Sequence, residues 1–394
     1  MTPSEPTDPL TYVRADHLIA LCSRLVQIRS VNPPGSELAI AEYVAGVLAA
    51  GGIPAALISH GRDRASVLAR IAGRGEAPNL LYSAHLDTVP VGADAEAWLH
   101  DPFSGEVADG KVWGRGAADM KGGLAAMMAA ALALAEAKTP LAGDLILAFT
   151  AGEESDSLGA YAVAQRTDLT PVGAIVVSEP SSNELYVAEK GALWVELTTY
   201  GQTAHGSMPE LGRNAVMMMV ALLGELDRLP VAYADHPLLG GFSRSINTIA
   251  GGVKTNVVPD RCVATVDMRT VPGQDHAALL RQIEALIADL SARQPGFRAS
   301  LRVLNDNIPL TTPPEHPTVA RMAGVIEAVT GRRPVPGGVR YYSDAVAYVP
   351  AFDAPMLICG PGQAGLAHQP DEYVEIDKLV ESARILTLAA LRLL

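Results

Sequence analysis

The sequence predicts an α/β protein with a second, smaller domain inserted into the first, and three observations carry that prediction. Apolar strand-like segments alternate with helical ones up to Gly191, the rhythm then changes to a β-α-β-β-α-β order, and the longer alternation resumes past Asn305. At 394 residues the chain also exceeds one typical single-core domain, so two structural units are expected before any motif is read.

Each element has its own justification. Asp16 to about Ala50 has helical periodicity, interrupted at SVNPPGS, where prolines and a glycine stop and restart the helix. Strand-like segments follow at Ser66–Ile71, Asn79–Ala84, Asp144–Thr150 and Ala174–Ser178. Between the second and third, roughly Lys121–Ala137 is helical and apolar almost all round, which marks a buried helix. Strands alternating with helices indicate a sheet covered on both faces. Beyond Gly191, Leu193–Tyr200 alternates like a half-exposed strand, Arg213–Leu229 is a helix and Ser245–Ala250 and Arg261–Arg269 are strands. Asp275–Arg293 is a helix and Phe297–Val303 a strand, completing the ferredoxin-like order. A helix near Thr318–Thr330, a strand near Pro355–Cys359 and a final helix from Ile376 return to the first pattern. The expected division is therefore 1–192 with 306–394 as one domain and 193–305 as the insert, since insertion is tolerated where entry and exit lie close together.

Composition narrows the function. Apolar residues make up 49% and charged residues 19%, the profile of a globular protein with ample core. A formal charge of −13 argues against a nucleic-acid partner, which requires a basic face. Cys22, Cys262 and Cys359 are far apart and form no CxxC pair, so they read as small buried hydrophobes rather than disulfide or zinc ligands. MTPSEPTDPL lacks the basic-then-apolar pattern of a secretory signal, and the longest apolar run, Leu124 to Ala135, is shorter than a bilayer requires. The expectation is a cytoplasmic protein with no membrane contact.

The chemistry lies at strand ends. LYSAHLDTVP closes an apolar strand with His85 and Asp87, two residues apart and so facing the same way, at the carboxyl edge where open α/β sheets bind ligands. GRGAADMKGG sets Asp119 just before the buried helix, LILAFT runs into AGEESDSLGA with Glu153 and Glu154, and AIVVS ends in Glu179. PMLIC is followed by GPGQAGLAHQPDEY, which contains His368. Alone, each acid is an ordinary solvated loop charge or a helix cap. Together, two histidines and several carboxylates at apolar strand ends have the donor types of a paired zinc or manganese site without thiolates, and such a like-charged cluster calls for cations. Other signals fail. Gly360 to Gly365 satisfies GxGxxG, but Pro370 stands where a phosphate-binding helix would continue, and HExxH, GxSxG and GxxxxGK[ST] are absent. Met217, Met218 and Met219 read as core residues of their helix.

SAHLDTVP, GRGAADMKGG, AGEE, VSEP and AHQPDEY, in that order, closely resemble the motifs of the M20 metallopeptidase family, the acetylornithine deacetylase, succinyl-diaminopimelate desuccinylase and carboxypeptidase G2 group. The resemblance covers nearly the whole chain. It implies a mixed-sheet, zinc-exopeptidase-like catalytic domain carrying a dimerisation or lid insert, and a centre of two divalent metals, zinc or else cobalt or manganese. By position, His85 and Glu179 would hold one metal, Glu154 and His368 the other, and Asp119 would bridge them. Asp87 would orient the His85 imidazole, and Glu153 would be the general base, with a cis peptide at Asp119–Met120. His205, in the GxxxHxxxP-like stretch GQTAHGSMP, would cross a homodimer interface to donate to the partner's oxyanion. Asn256 in TNVVPD and Arg269 in VDMR match substrate-binding positions. The implied reaction is hydrolysis of an amide in a small carboxylate-bearing substrate, most readily an N-acyl amino acid. Carboxypeptidase or dipeptidase action is the alternative, and a noncatalytic relative is disfavoured because base and ligands are all present. One departure stands out: GGVRYYSDAVAY carries Arg340, Tyr341 and Tyr342 where many relatives have glycine-rich GGGxDA, so bulky groups are expected to line the acyl or side-chain pocket.

Overall fold

Uninterrupted apolar runs, rather than alternation, mark the strands that become central. The computed structural model describes residues 8–92 and 97–394. The chain divides into unit 1, comprising Met1–Ala188, Thr311–Gly338 and Ser343–Leu394, and unit 2, comprising Glu189–Leu310 and Val339–Tyr342.

Unit 1 begins with helices α1 (Ala15–Gln27) and α2 (Leu38–Ala50), then strands β1 (Ala55–Ser59), β2 (Ala65–Ile71) and β3 (Asn79–His85). Short β4 (Val107–Ala108) and β5 (Lys111–Trp113) lead to helix α3 (Gly122–Glu136), followed by β6 (Leu145–Thr150), α4 (Leu158–Ala164), β7 (Val172–Val177) and β8 (Tyr186–Glu189). Unit 2 supplies β9 (Gly191–Tyr200), α5 (Ala215–Arg228), β10 (Ser243–Gly251), β11 (Arg261–Thr270), α6 (His276–Arg293) and β12 (Ala299–Asn307). The chain ends through β13 (Leu310–Thr311), α7 (Pro317–Thr330), β14 (Gly337–Val339), α8 (Ala345–Phe352), β15 (Met356–Ile358), β16 (Tyr373–Glu375) and α9 (Ile376–Leu393).

The larger sheet has the order β1-β2-β6-β3-β7-β15-β8-β13, with β14 against β8. Its centre is parallel, β6 with β3, β3 with β7 and β7 with β15, while β1-β2 and β2-β6 pair antiparallel, so the sheet is mixed. β3, β6 and β7 are buried along almost their whole length, as parallel strands covered on both faces must be, and this explains their continuous apolar sequences. Helix α3 is buried on nearly all sides. The segment Ala117–Glu136 is long and apolar enough by composition to cross a membrane, but 83% of its most apolar window is buried inside the fold, which makes it a core helix.

In unit 2 the sheet runs β10-β11-β9-β12, every pair antiparallel, which is the order 2-3-1-4 of a ferredoxin-like βαββαβ unit. Leu193, Val195 and Leu197 of β9 pack with Met219, Leu222 and Leu226 of α5 and with Leu279, Ile283 and Leu290 of α6. Asn214 and Asp275 start the two helices by accepting backbone N–H groups of Met217 and Ala277. Of the three methionines expected in the core, Met219 is fully buried while Met217 is 61% exposed, because it lies off the stripe that 215, 219, 222 and 226 define. Unit 2 is wider than the 193–305 read from the pattern and includes Val339–Tyr342. Pairing persists to Gly191 and Asn307, where glycine and polar residues leave no alternation to read.

Candidate active site

Three neighbouring parallel strands aim their carboxyl ends at one place. His85 closes β3, Glu153 and Glu154 follow β6 on the turn after Thr150, and Glu179 follows β7. Asp119 enters from the side, in a kink before α3 where the Asp119–Met120 peptide is cis. His368 comes from the loop after β15 with φ +66°.

These side chains converge. His85 Nε2 lies 3.1 Å from Asp119 Oδ1, and His368 Nε2 lies 3.4 Å from Asp119 Oδ2 and 3.1 Å from Glu154 Oε1. One carboxylate thus presents one oxygen to each histidine. Ligating atoms of His85, Asp119 and Glu154 fall within 4.8 Å of one another, as do those of His85, Glu153 and Glu179. His85, Glu153 and Glu179 are buried, whereas the His368 side chain is half exposed and faces solvent.

Asp87 departs from the expectation in an instructive way. His85 Nδ1 donates to the Asp87 backbone carbonyl at 2.8 Å, while the Asp87 carboxylate stands 3.8 Å away from that nitrogen. The carboxylate instead accepts from the backbone N–H groups of Gly152 (3.0 Å), Glu153 (3.2 Å) and Glu154 (3.2 Å), and from Asn32 Nδ2 (2.8 Å). It holds the turn that carries both glutamates, and the main chain orients the imidazole.

In unit 2, His205 and Asn256 share a loop cluster. His205 bridges to Val257, the Gly206 N–H donates to the Asn256 carbonyl at 2.8 Å, and the exposed His205 ring hydrogen-bonds with Ser207. Arg269 lies elsewhere, near the end of β11, paired with Asp267 at 3.0 Å. Gly360 and Gly362, the tempting phosphate loop, serve packing: a Cβ on Gly362 would sit 2.1 Å from the Ala118 carbonyl oxygen. All three cysteines are free and buried.

The sequence profile of peptidase family M20/M25/M40 matches residues 81–392. The chain belongs to this family. A succinyl-diaminopimelate desuccinylase from Cereibacter sphaeroides is 33% identical, over 92% of this chain and 94% of that protein. Among solved structures, an M20 family metallo-carboxypeptidase from Sulfolobus solfataricus superposes with a TM-score of 0.79 at 20% identity, covering 98% of this chain and 100% of that one. A Bacillus subtilis protein described as a dinuclear metal binding peptidase from the M20 family gives 0.70 at 17% identity, covering 95% and 97%. This M20 chain is a metallohydrolase.

The residues present suit divalent cations. With Nδ1 donating to a carbonyl, the lone pair of a neutral His85 ring sits on Nε2 and faces a carboxylate oxygen, so a positive charge has to lie between them. Glu179 Oε1 is buried with no hydrogen-bond partner among the described residues. Burial pushes the Glu153 and Glu179 carboxyls well above the usual range, reinforced by their carboxylate neighbours, Glu179 for the first and Asp119 for the second. Burial opposes ionisation of Asp119 too, yet its hydrogen bonds with His368 and His85 hold it below the usual range. His368 is raised to about 10 by the same Asp119 bond and by Glu154. Two glutamates and a histidine pushed up around one depressed aspartate mark a cluster whose excess negative charge divalent cations would neutralise.

Several residues of this M20 site escaped the sequence reading. Glu372 Oε1 accepts from the backbone N–H groups of Ala118 and Asp119 at 2.9 Å each, and its Oε2 takes Arg115 Nη1 at 2.5 Å. Arg115 also donates to the carbonyls of His368 and Gln369 at 3.3 Å. This buried pair therefore ties the Asp119 kink to the His368 loop. Both residues lie inside the motifs GRGAADMKGG and HQPDEY, so their proximity in sequence to Asp119 and His368 was the available signal. Asp344 lies near the cluster as well, its carboxyl lifted to about 7 by burial and hydrogen-bonded by Thr150.

Proposed function

We propose that the protein hydrolyses the amide bond of an N-acyl amino acid using two divalent cations, zinc or else cobalt or manganese. His85 and Glu179 would hold one, Glu154 and His368 the other, with Asp119 shared. Bound there, such a pair lowers the pKa of water towards neutrality and polarises a scissile carbonyl. The observation that carries the reading is Asp119, whose two oxygens face two different histidines at 3.1 and 3.4 Å. Glu153 is the base. Adjacent to Glu154 on one turn, it is left over once the ligands are assigned, and its raised carboxyl suits it to take a proton from the attacking water and pass it to the leaving nitrogen. The 33% identical desuccinylase supports deacylation over peptide cleavage.

Unit 2 favours a homodimer. Met217 (61% exposed) and Val220 (51%) on α5 adjoin a sheet whose edge strand β10 exposes Ile249 (53%), an unpaired apolar edge that a second copy would cover. In such an assembly His205 would serve the partner's site.

Wild type and Glu153→Ala, both metal-loaded, are assayed for amine release from N-acyl amino acids and dipeptides. Expected are turnover of N-acyl compounds by wild type, a loss of about 10²–10⁴-fold in kcat for the variant, and unchanged metal content. Retained activity in the variant refutes the role of Glu153, and turnover of dipeptides alone moves the assignment to peptidase. Mixing His205→Ala with Glu153→Ala subunits should restore part of the wild-type rate, since each hybrid keeps one intact composite site. No restoration refutes the shared site.

A further inference from the structure

The SVNPPGS segment, whose prolines and glycine break the helical pattern, also belongs to the scaffold of the site. Val31 bridges to Thr88, just beyond His85. Asn32 Nδ2 donates at 2.8 Å both to Asp87 Oδ2 and to Ser155 Oγ, on the turn that carries Glu153 and Glu154. Past Gly35, Glu37 is fully buried and accepts the Arg64 guanidinium as a fork, Nε at 3.0 Å and Nη2 at 2.8 Å. The guanidinium so fixed lies against two glycines from distant parts of the chain. A Cβ on Gly35 would stand 2.4 Å from Arg64 Nε, and one on Gly152 would stand 2.8 Å from Arg64 Nη2 and 2.6 Å from Asp156 Oδ1. Both glycines have φ +90°, so at each position the backbone conformation and the guanidinium exclude a side chain together.

Gly152 is the pivot of that turn. Asp87 holds its N–H, and its carbonyl accepts from the N–H groups of Ser155, Asp156 and Ser157 at 3.1, 2.9 and 2.6 Å. Asp87 grips the turn by N–H groups alone. Arg64 meets it at the Gly152 Cα and, through Nη1, at Asp156 Oδ2 3.8 Å away. A planar guanidinium can commit two nitrogens to one carboxylate and still present the third elsewhere, which the single nitrogen of a lysine cannot do. Small movements of the turn matter, because a misplacement of about 1 Å caused by a distant residue costs a reaction about 10²-fold.

We propose that Arg64 is a positioning residue for the Glu153–Glu154 turn, acting through Gly152 and Asp156, so that a side chain distant in sequence sets where the base and one metal ligand stand. The inference rests on the deacylase reading for the roles of the two glutamates. Arg64→Ala alone would strand the buried Glu37 carboxylate, so two other variants carry the test. Arg64→Lys keeps the charge and loses the fork, and Arg64→Gln combined with Glu37→Gln removes both charges together. Calorimetric titration of the metal-free full chain with Co2+ should show, in both variants, one of two equivalents weakened about ten-fold or more and the other within about two-fold of wild type. At saturating metal, kcat for an N-acyl amino acid should fall about ten-fold or more while KM stays within about two-fold. Wild-type Co2+ binding and kcat in both variants, whatever their melting temperatures, overturn the positioning role, as does equal weakening of both equivalents, which marks a general loosening. Selective weakening of one equivalent in a protein whose wild type releases no amine from any N-acyl compound upholds the role of Arg64 and overturns the deacylase reading.

Discussion

Asp87→Asn distinguishes a carboxylate that holds the glutamate turn from one that orients His85. Asp87 is fully buried and accepts four hydrogen bonds, two on each oxygen. An asparagine offers one oxygen and one NH2 group, so it keeps the pair from Gly152 and Glu153 and turns a donor towards the Glu154 N–H and Asn32 Nδ2. Asn32 can flip its amide and accept from the new NH2, reversing its 2.8 Å contact with Ser155 Oγ. The Glu154 N–H has no such escape. Hydrogen bonds to a charged group contribute about 1.5–3 kcal/mol each, so the loss is about 2 kcal/mol with the flip and up to about 6 kcal/mol without it. That is a large share of the roughly 5–15 kcal/mol that stabilises a typical fold. The assay is urea unfolding of chelator-treated wild type and variant, followed by circular dichroism. A carboxylate serving the turn lowers metal-free stability by about 2 kcal/mol or more, whereas one serving only the imidazole changes metal affinity and leaves metal-free stability alone. A metal-free difference below about 0.5 kcal/mol, the usual scatter of surface substitutions, would refute the assignment to the turn.

Two further perturbations probe packing and charge. Gly123→Ala places a Cβ 2.3 Å from the Ser178 carbonyl oxygen, so α3 must move off the strand end that delivers Glu179; melting should show a loss of about 1–3 kcal/mol together with reduced activity, and an unchanged melt would mean the backbone gives freely there. In unit 2, the hydrogen bond from His276 holds the Asp306 carboxyl below its usual range against the opposing effect of burial. A depressed acid contributes stability above its unfolded pKa of about 4 and loses it as pH falls through the lower folded value, so Asp306→Asn should be less stable than wild type near pH 6 and converge with it as pH falls through that lowered folded pKa, read by thermal melts. Divergence that persists at low pH refutes the linkage.

What could be read from the sequence follows from how local each signal is. His85, Glu153, Glu154 and Glu179 were legible because a buried parallel strand is an unbroken apolar run, and a titratable residue at its carboxyl end breaks that run where such sheets bind ligands. β1 and β8 were not, the first being a largely exposed edge and the second only four residues long, too short for any period. The Met217 error has the same root, since a helix at 100° per residue puts neighbours on different faces and a run of three methionines cannot all be core.

Asp87 shows where local reading stops. The spacing of His85 and Asp87 suggested that the two side chains meet. A strand's alternation fixes only the side on which a group emerges, however, and the partner is chosen by whatever else arrives there. What arrives is a turn 65 to 67 positions later with three unpaired N–H groups, and a buried carboxylate gains more from three such donors than from one ring nitrogen that a carbonyl already satisfies. Arg115 and Glu372, 257 positions apart, obey the same rule around Asp119 and His368. In this fold, then, the converging side chains that sit at strand ends, His85, Glu153, Glu154 and Glu179, can be read locally. The groups that hold them in place are set by the donors that long-range folding leaves unpaired, and accounting for every buried N–H is the step that would find them.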